Sequence, residues 1–372
     1  MVRGKSGHCY GEGRAEGLAR SPHLMTGRGR TVRTVRRVVN GTTGLALEGY
    51  DRYAAQRQPA VPPSKPTETV YVGDGSSIEA WHGMVRFPFA RRYTETLESA
   101  GLRFRPRLFS EEVEKDRLRQ WPVITADSLR HYVEGQWDLP ERPVFVGHSA
   151  GGFTVMTLAM LAKGNAQTRT AIREGLGLQD LSLEQIEAFS ERVRERAPLF
   201  IAIAAPLNGI VPTRLGRVTD RQVLRHLDPD VFTALTYDYV QGFYRRVGMQ
   251  PQEVIDGIIV SDRAPWPIDR HPASWATNTI VQGGMRAWSV MVDTNARYDQ
   301  HTVDPGEGFD GIVPLRSAWL EGPMVRWLHD NHLALVETEE SAWALASMIH
   351  DLRGPQDYSL SPLQAGGDRL FH

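Results

Sequence analysis

VFVGHSAGGF, residues 144–153, decides the fold. Val144, Phe145 and Val146 are β-branched and aromatic and read as a strand buried on both faces. The apolar run from Phe153 to Ala162 reads as a buried helix. Between them Gly147-His148-Ser149-Ala150-Gly151 fits the pattern G-x-S-x-G. The strand-to-helix turn of that pattern is so tight that its serine takes a strained backbone conformation, and side chains at Gly147 and Gly151 would strike the neighbouring strand and helix. Gly152 relaxes the packing further. A serine that is only a polar residue in a corner needs the glycines alone. A nucleophile also needs the strand before and the helix after, and both are written here.

Outward from this stretch, strand and helix alternate. VYV (70–72), a GDGS turn and SIEAW (77–81) read as a hairpin or two successive strands. Pro88 to Ala100 reads as a helix closed by Gly101, and LRFRPRLF as the strand after it. Ala126 to Gly135 reads as a helix behind Thr125 as cap, and Pro143 to Val146 as the next strand. Downstream, LFIAIAAP (199–206) and MRAWSVMVD (285–293) read as buried strands. The alternation predicts the α/β class, with a mostly parallel central sheet covered by helices on both faces. Two segments interrupt it, at about 164–197 and 210–283, and are expected to form a helical cap. In the first, Ser182-Leu-Glu-Gln185 has the form of a capping box, with Ile186, Phe189 and Val193 following at helical spacing. The second carries Leu224, Leu227, Phe232, Leu235, Tyr239, Phe243 and Tyr244, residues suited to a core or to the wall of an acyl pocket.

PAVPPSKP, residues 59–66, holds four prolines in eight positions and resists both helix and central strand. It marks the boundary between a basic, Pro-rich N-terminal extension, 1–66, expected to be partly disordered, and a domain spanning 67–372. The five arginines of RGRTVRTVRR (28–37) read as a solvated tail. A net charge of −1 supplies no field for nucleic acid, so no nucleic-acid partner is expected. Cys9 is the only cysteine, which excludes an intrachain disulfide and a thiolate-built zinc site. Neither a phosphate loop with its Lys nor a His-Glu-x-x-His helix occurs, so neither cofactor nor metal is expected. The run from Phe153 to Ala162 is about half a bilayer span, and no transmembrane segment is expected. The stretch after Arg36-Arg37 is broken by Asn40, three glycines and Glu48, a poor export signal, which favours a cytoplasmic location. The oligomeric state stays open.

A serine hydroxyl alone is a weak nucleophile at neutral pH, and needs a base within hydrogen-bond reach and a carboxylate to orient that base. After a G-x-S-x-G turn the chain order is Ser, then Asp or Glu, then His. GFDGIVP (308–314) and HDNHLALVE (329–337) supply both, with Asp304, His329 and His350 as further candidates. At these two stretches the sequence resembles the lipase-like branch of the α/β-hydrolase superfamily, the bacterial triacylglycerol lipases and carboxylesterases. These carry their acid in an Asp-Gly-hydrophobic-Val loop and their histidine in an Asn-His-Leu segment. The resemblance assigns Asp310 as acid and His332, 22 residues later, as base. Asp304 sits beside Pro305 and two glycines and suits a turn. His350 suits a helix face, and His329 a partly exposed neighbour. A base belongs on a loop at the C-terminal edge of the sheet.

Acyl transfer also needs donors for the oxyanion of the tetrahedral intermediate. The N–H of Ala150 is one by construction. Trp81-His82-Gly83-Met84 resembles the family's His-Gly-hydrophobic loop, which makes the N–H of Met84 the second, with Gly75 or Ser76 as the rival loop. Ala204-Ala-Pro206-Leu-Asn208-Gly209 resembles the family's Gly-Thr-Pro-His-x-Gly segment with three departures. The family's calcium-binding aspartate, two residues after the histidine, is here Ala334, so no such calcium site is expected. Together the residues and the resemblance imply a serine hydrolase acting on a small ester or lipid through an acyl-enzyme. Two alternatives remain open: an acyltransferase with the same triad, and a hydrolase-fold binding protein without turnover.

Overall fold

A computed structural model describes residues 77–81, 91–107, 121–134, 139–213, 233–262, 290–298, 305–306 and 308–354. Six strands form its sheet: β1 Ser77–Trp81, β2 Arg103–Arg107, β3 Val144–His148, β4 Leu199–Ile203, β5 Gly257–Ser261 and β6 Met324–Leu328. Their order is β2-β1-β3-β4-β5-β6 and every pairing is parallel. Parallel neighbours require crossovers, and helices supply them: α1 Arg91–Ser99, α2 Trp121–Val133, α3 Gly151–Lys163, α4 Ala166–Gly175, α5 Leu183–Glu195, α6 Tyr237–Val247 and the short α7 Leu315–Ala318. After β6, α8 Glu339–Arg353 closes the domain. The chain steps outward from β1 to β2, then returns past β1 to β3, so the strand order reverses between β1 and β3. Open α/β sheets bind ligands beyond the carboxyl ends of the strands at such a reversal. Ser149 directly follows β3. This strand order, with a tight serine turn between β3 and the buried α3, is the α/β-hydrolase fold.

The period of two along each strand divides the core. Val144, Val146, Leu199, Ile201 and Ile203 pack with Tyr93 and Leu97 of α1 and Leu345 and Ile349 of α8. Phe145, Phe200 and Ala202 face the other way, against α2 to α6. Strands buried on both faces show no polar alternation, which is why β3 and β4 read as continuous apolar runs. Twelve consecutive residues of α3, Gly151 to Ala162, are buried, because α2, α4 and α5 cover the side that the sheet leaves open. Burial of each large apolar side chain contributes about 1.5–3 kcal/mol. Among the described helices none is long and apolar enough to cross a membrane.

Several expectations need correction. The helix placed at Ala126 to Gly135 begins at Trp121. Pro122 lies in its first turn, where a missing N–H costs nothing. Thr125 therefore caps nothing: it is buried in the helix and hydrogen-bonds Thr154 of α3 at 3.0 Å. The strand that follows β4 is Gly257–Ser261, not 285–293. Residues 285–289 lie outside the described residues, and Val292 makes only an isolated antiparallel bridge with Pro212. The cap span 210–283 is thus interrupted by a strand of the central sheet.

The α4–α5 hairpin is a flank. Lys163, at the end of α3 remote from Ser149, binds Asp256, which also accepts from the N–H of Phe200 near the start of β4. The hairpin leaves the chain just beyond Lys163 and returns at Leu199, so both its ends lie at the N-terminal edge of the sheet. Its turn is tied to the last turn of α2 through Arg130, which donates to Asp180 at 2.7 Å and to the carbonyl of Gly177 at 2.9 Å. Segment 164–197 therefore does not leave the chain at the serine's edge. The boundary at residue 66 and the extension 1–66, with Cys9, lie outside the described residues.

Candidate active site

Ser149 has φ 55, the left-handed region that a side chain enters only at a cost. Packing imposes it. A Cβ on Gly147 would stand 2.5 Å from the carbonyl oxygen of Gly151, and one on Gly152 would stand 2.2 Å from Cβ of Ala205. The turn is that close on both sides. The N–H of Ser149 donates to the carbonyl of Ile203 at 2.9 Å, continuing the β3–β4 ladder by one residue, and the N–H of Gly152 donates back to the carbonyl of Ser149. Ala150 follows at the head of α3, where N–H groups have no intrahelical acceptor and the helix dipole is positive.

Asp310 and His332 come together from two loops. The loop after β5 brings Asp310 back to the sheet, and the loop after β6 carries His332; their side chains are buried and His332 Nδ1 lies 2.7 Å from Asp310 Oδ2. Asp310 Oδ1 accepts the N–H groups of Ile312 at 2.9 Å and Val313 at 2.7 Å, a tight turn that Gly311 allows with φ 100. The main-chain N–H of His332 donates to the carbonyl of Asp310 at 2.9 Å, so one residue holds the histidine by ring and by backbone. A carboxylate oxygen accepts, so in the neutral tautomer that this contact favours the hydrogen sits on Nδ1 and the lone pair on Nε2.

His148 joins this couple to the serine turn. It is fully buried, its Nε2 lies 2.9 Å from the carbonyl oxygen of His332, and the two imidazoles are 4.6 Å apart at 42°. The loop of His332 is thus pinned to the residue preceding Ser149. Among the described residues no hydrogen bond joins Ser149 to His332 itself. The sequence carried a signal for His148: a polar residue at the end of a continuously buried strand must find a partner.

His329, a further candidate base, is mostly exposed and pairs at 2.8 Å with Asp262, just after β5, a residue that no sequence motif marks. His350 lies in the last turn of α8. Asn208 of AAPLNG is a structural tie, its Nδ2 donating to the carbonyls of Arg316 and Trp319. Of the aromatic residues in the second interrupting segment, Phe243 and Tyr244 are core; Phe243 and Tyr239 meet Trp121 edge-on, and Trp121 stacks on Phe153 at 4.5 Å. Leu224, Leu227 and Phe232 lie outside the described residues, as do Asp304, Met84 and the rival oxyanion loop at Gly75 and Ser76.

The sequence matches no family model and no curated protein. Among solved structures, the chain is similar to a Bacillus licheniformis lipase in mature form, with 10% identity and TM-score 0.41 over 79% of this chain and 96% of that one. It is also similar to an inhibited esterase B from Lactobacillus rhamnosis, with 10% identity and TM-score 0.37 over 87% and 95%. A third similar structure is an esterase from Pyrobaculum calidifontis, with 13% identity and TM-score 0.30 over 87% and 92%.

Proposed function

We propose that this protein is a serine hydrolase of carboxylic esters, a lipase or esterase working through an acyl-enzyme. The observation that carries the reading is the buried Asp310–His332 couple, pinned through His148 to the residue before a serine held at φ 55. Ser149 Oγ attacks the acyl carbon while His332 Nε2 takes its proton, and Asp310 keeps Nδ1–H pointed at itself as the imidazolium forms. The hydroxyl must reach Nε2 when substrate is bound, since catalytic hydrogen bonds tighten in the substrate complex. The Ala150 N–H receives the oxyanion. Met84 supplies the second donor in this reading, which the pairing of Trp81, three residues before it, with Gly147, two residues before Ser149, supports. The imidazolium returns its proton to the departing alcohol, and water, activated by the same histidine, releases the acid. The chemistry requires no cofactor.

A fluorophosphonate probe should label Ser149 and a p-nitrophenyl ester should be hydrolysed, with both lost in Ser149→Ala. Labelling that persists in that variant would sink the assignment. Asp310→Asn should lower kcat on the order of 10³–10⁴-fold, because the imidazole is then held in the wrong tautomer. A series of ester chain lengths, with and without an oil–water interface, separates lipase from short-chain esterase.

A further inference from the structure

We infer that His148 is a positioning residue for the proposed base: through one hydrogen bond and one ring contact it holds His332 in register with Ser149. The inference rests on the esterase reading for its consequence, and on geometry for its content. A carbonyl oxygen can only accept, so the 2.9 Å contact between His148 Nε2 and the carbonyl of His332 requires the hydrogen to sit on Nε2 of His148. His332 is then fixed at three points. Asp310 takes its ring Nδ1–H and its main-chain N–H, and His148 takes its main-chain carbonyl.

The two fastenings do different things. Both bonds from Asp310 come from the loop after β5, which ties one loop to another. The bond from His148 comes from β3, the central strand that also carries the nucleophile, and His148 is itself in register with Ile203 of β4. One hydrogen bond and one peptide bond thus connect the base loop to Ser149. The His148 ring also lies against the His332 ring at 4.6 Å, which limits swinging of that imidazole about its side-chain torsions. A shift of about 1 Å in a reacting group costs on the order of 10²-fold in rate, so a fastening at this point acts on kcat.

The donor geometry selects the variants. In His148→Gln the side-chain amide N–H reaches about as far as Nε2 and restores the bond; in His148→Asn it stops short; in His148→Leu the donor is gone and the volume is kept. Full-length His148→Leu should lose on the order of 10²-fold in kcat with KM within about threefold, and His148→Gln should recover at least a tenth of wild-type kcat. The proton shared by His332 Nδ1 and Asp310 should give a downfield NMR resonance that broadens in His148→Leu and persists in His148→Gln. If His148→Leu does not fold, the Gln and Asn variants make the same comparison. Wild-type kcat with an unchanged resonance in His148→Leu, or Gln as impaired as Asn, overturns the inference and leaves the esterase reading standing. Activity that survives Ser149→Ala overturns the esterase reading instead, and the resonance alone then decides whether His148 holds His332.

Discussion

At the scale of single residues, Ser149 holds a conformation that glycine would adopt at less cost. A side chain in the left-handed region costs on the order of 1 kcal/mol or more, and such strain collects where function requires it. Ser149→Gly should therefore raise stability by about 1 kcal/mol in denaturant unfolding while abolishing ester hydrolysis; a variant less stable than wild type would count against strain at this position. The candidate triad was legible by residue type and chain order because a nucleophile, its base and its acid are constrained chemically, and because the Asp-Gly and Asn-His-Leu segments resemble a known family. The partners of those residues were not legible. His148 bonds a carbonyl 184 positions away and His329 a carboxylate 67 positions away, and no local pattern encodes such meetings.

At the scale of elements, continuous apolar runs identified β3 and β4, and local capping chemistry identified α5. The Ser182 hydroxyl accepts from the N–H of Gln185 at 3.2 Å while the Gln185 side chain accepts from the N–H of Ser182 at 2.8 Å, the capping box that the sequence predicts. Ser182→Ala should cost about 1 kcal/mol of stability and leave kcat and KM for an ester unchanged, because the hairpin is joined to the sheet at the edge opposite Ser149. A change in KM would instead connect this hairpin to the substrate. Strand β5 carries a weaker signal: GIIVS holds only three consecutive apolar residues between a glycine and a serine, too few to separate strand from loop. The start of α2 is marked by Pro122, whose fixed φ and missing N–H suit a first helical turn.

At the scale of the whole molecule, the segment after β4 is anchored by buried phenols. Tyr244 donates to the carbonyl of Leu207 and Tyr298 to that of Gly209, and burial pushes both hydroxyls above the usual tyrosine range. An unfolded tyrosine titrates near pH 10, whereas these keep their protons higher, so above about pH 10 the folded state binds more protons and stability falls as pH rises. The contribution is whole below that pH. Each residue should add up to about 1.4 kcal/mol of loss per pH unit, and Tyr244→Phe with Tyr298→Phe should flatten the decline in denaturant unfolding between pH 9 and 11; an unchanged slope would refute the linkage. What the sequence by itself determined was the α/β alternation and the tight serine turn, because backbone sterics and hydrophobic period act over short stretches; for the proposed acid and base it offered candidates among which a family resemblance chose. Only the tertiary structure decided that Gly257–Ser261 completes the sheet, that the α4–α5 hairpin springs from the opposite edge, and that His148 fastens His332 beside Ser149. Those outcomes depend on which distant groups can be buried together with their hydrogen bonds satisfied, a condition that exists only once the chain is packed.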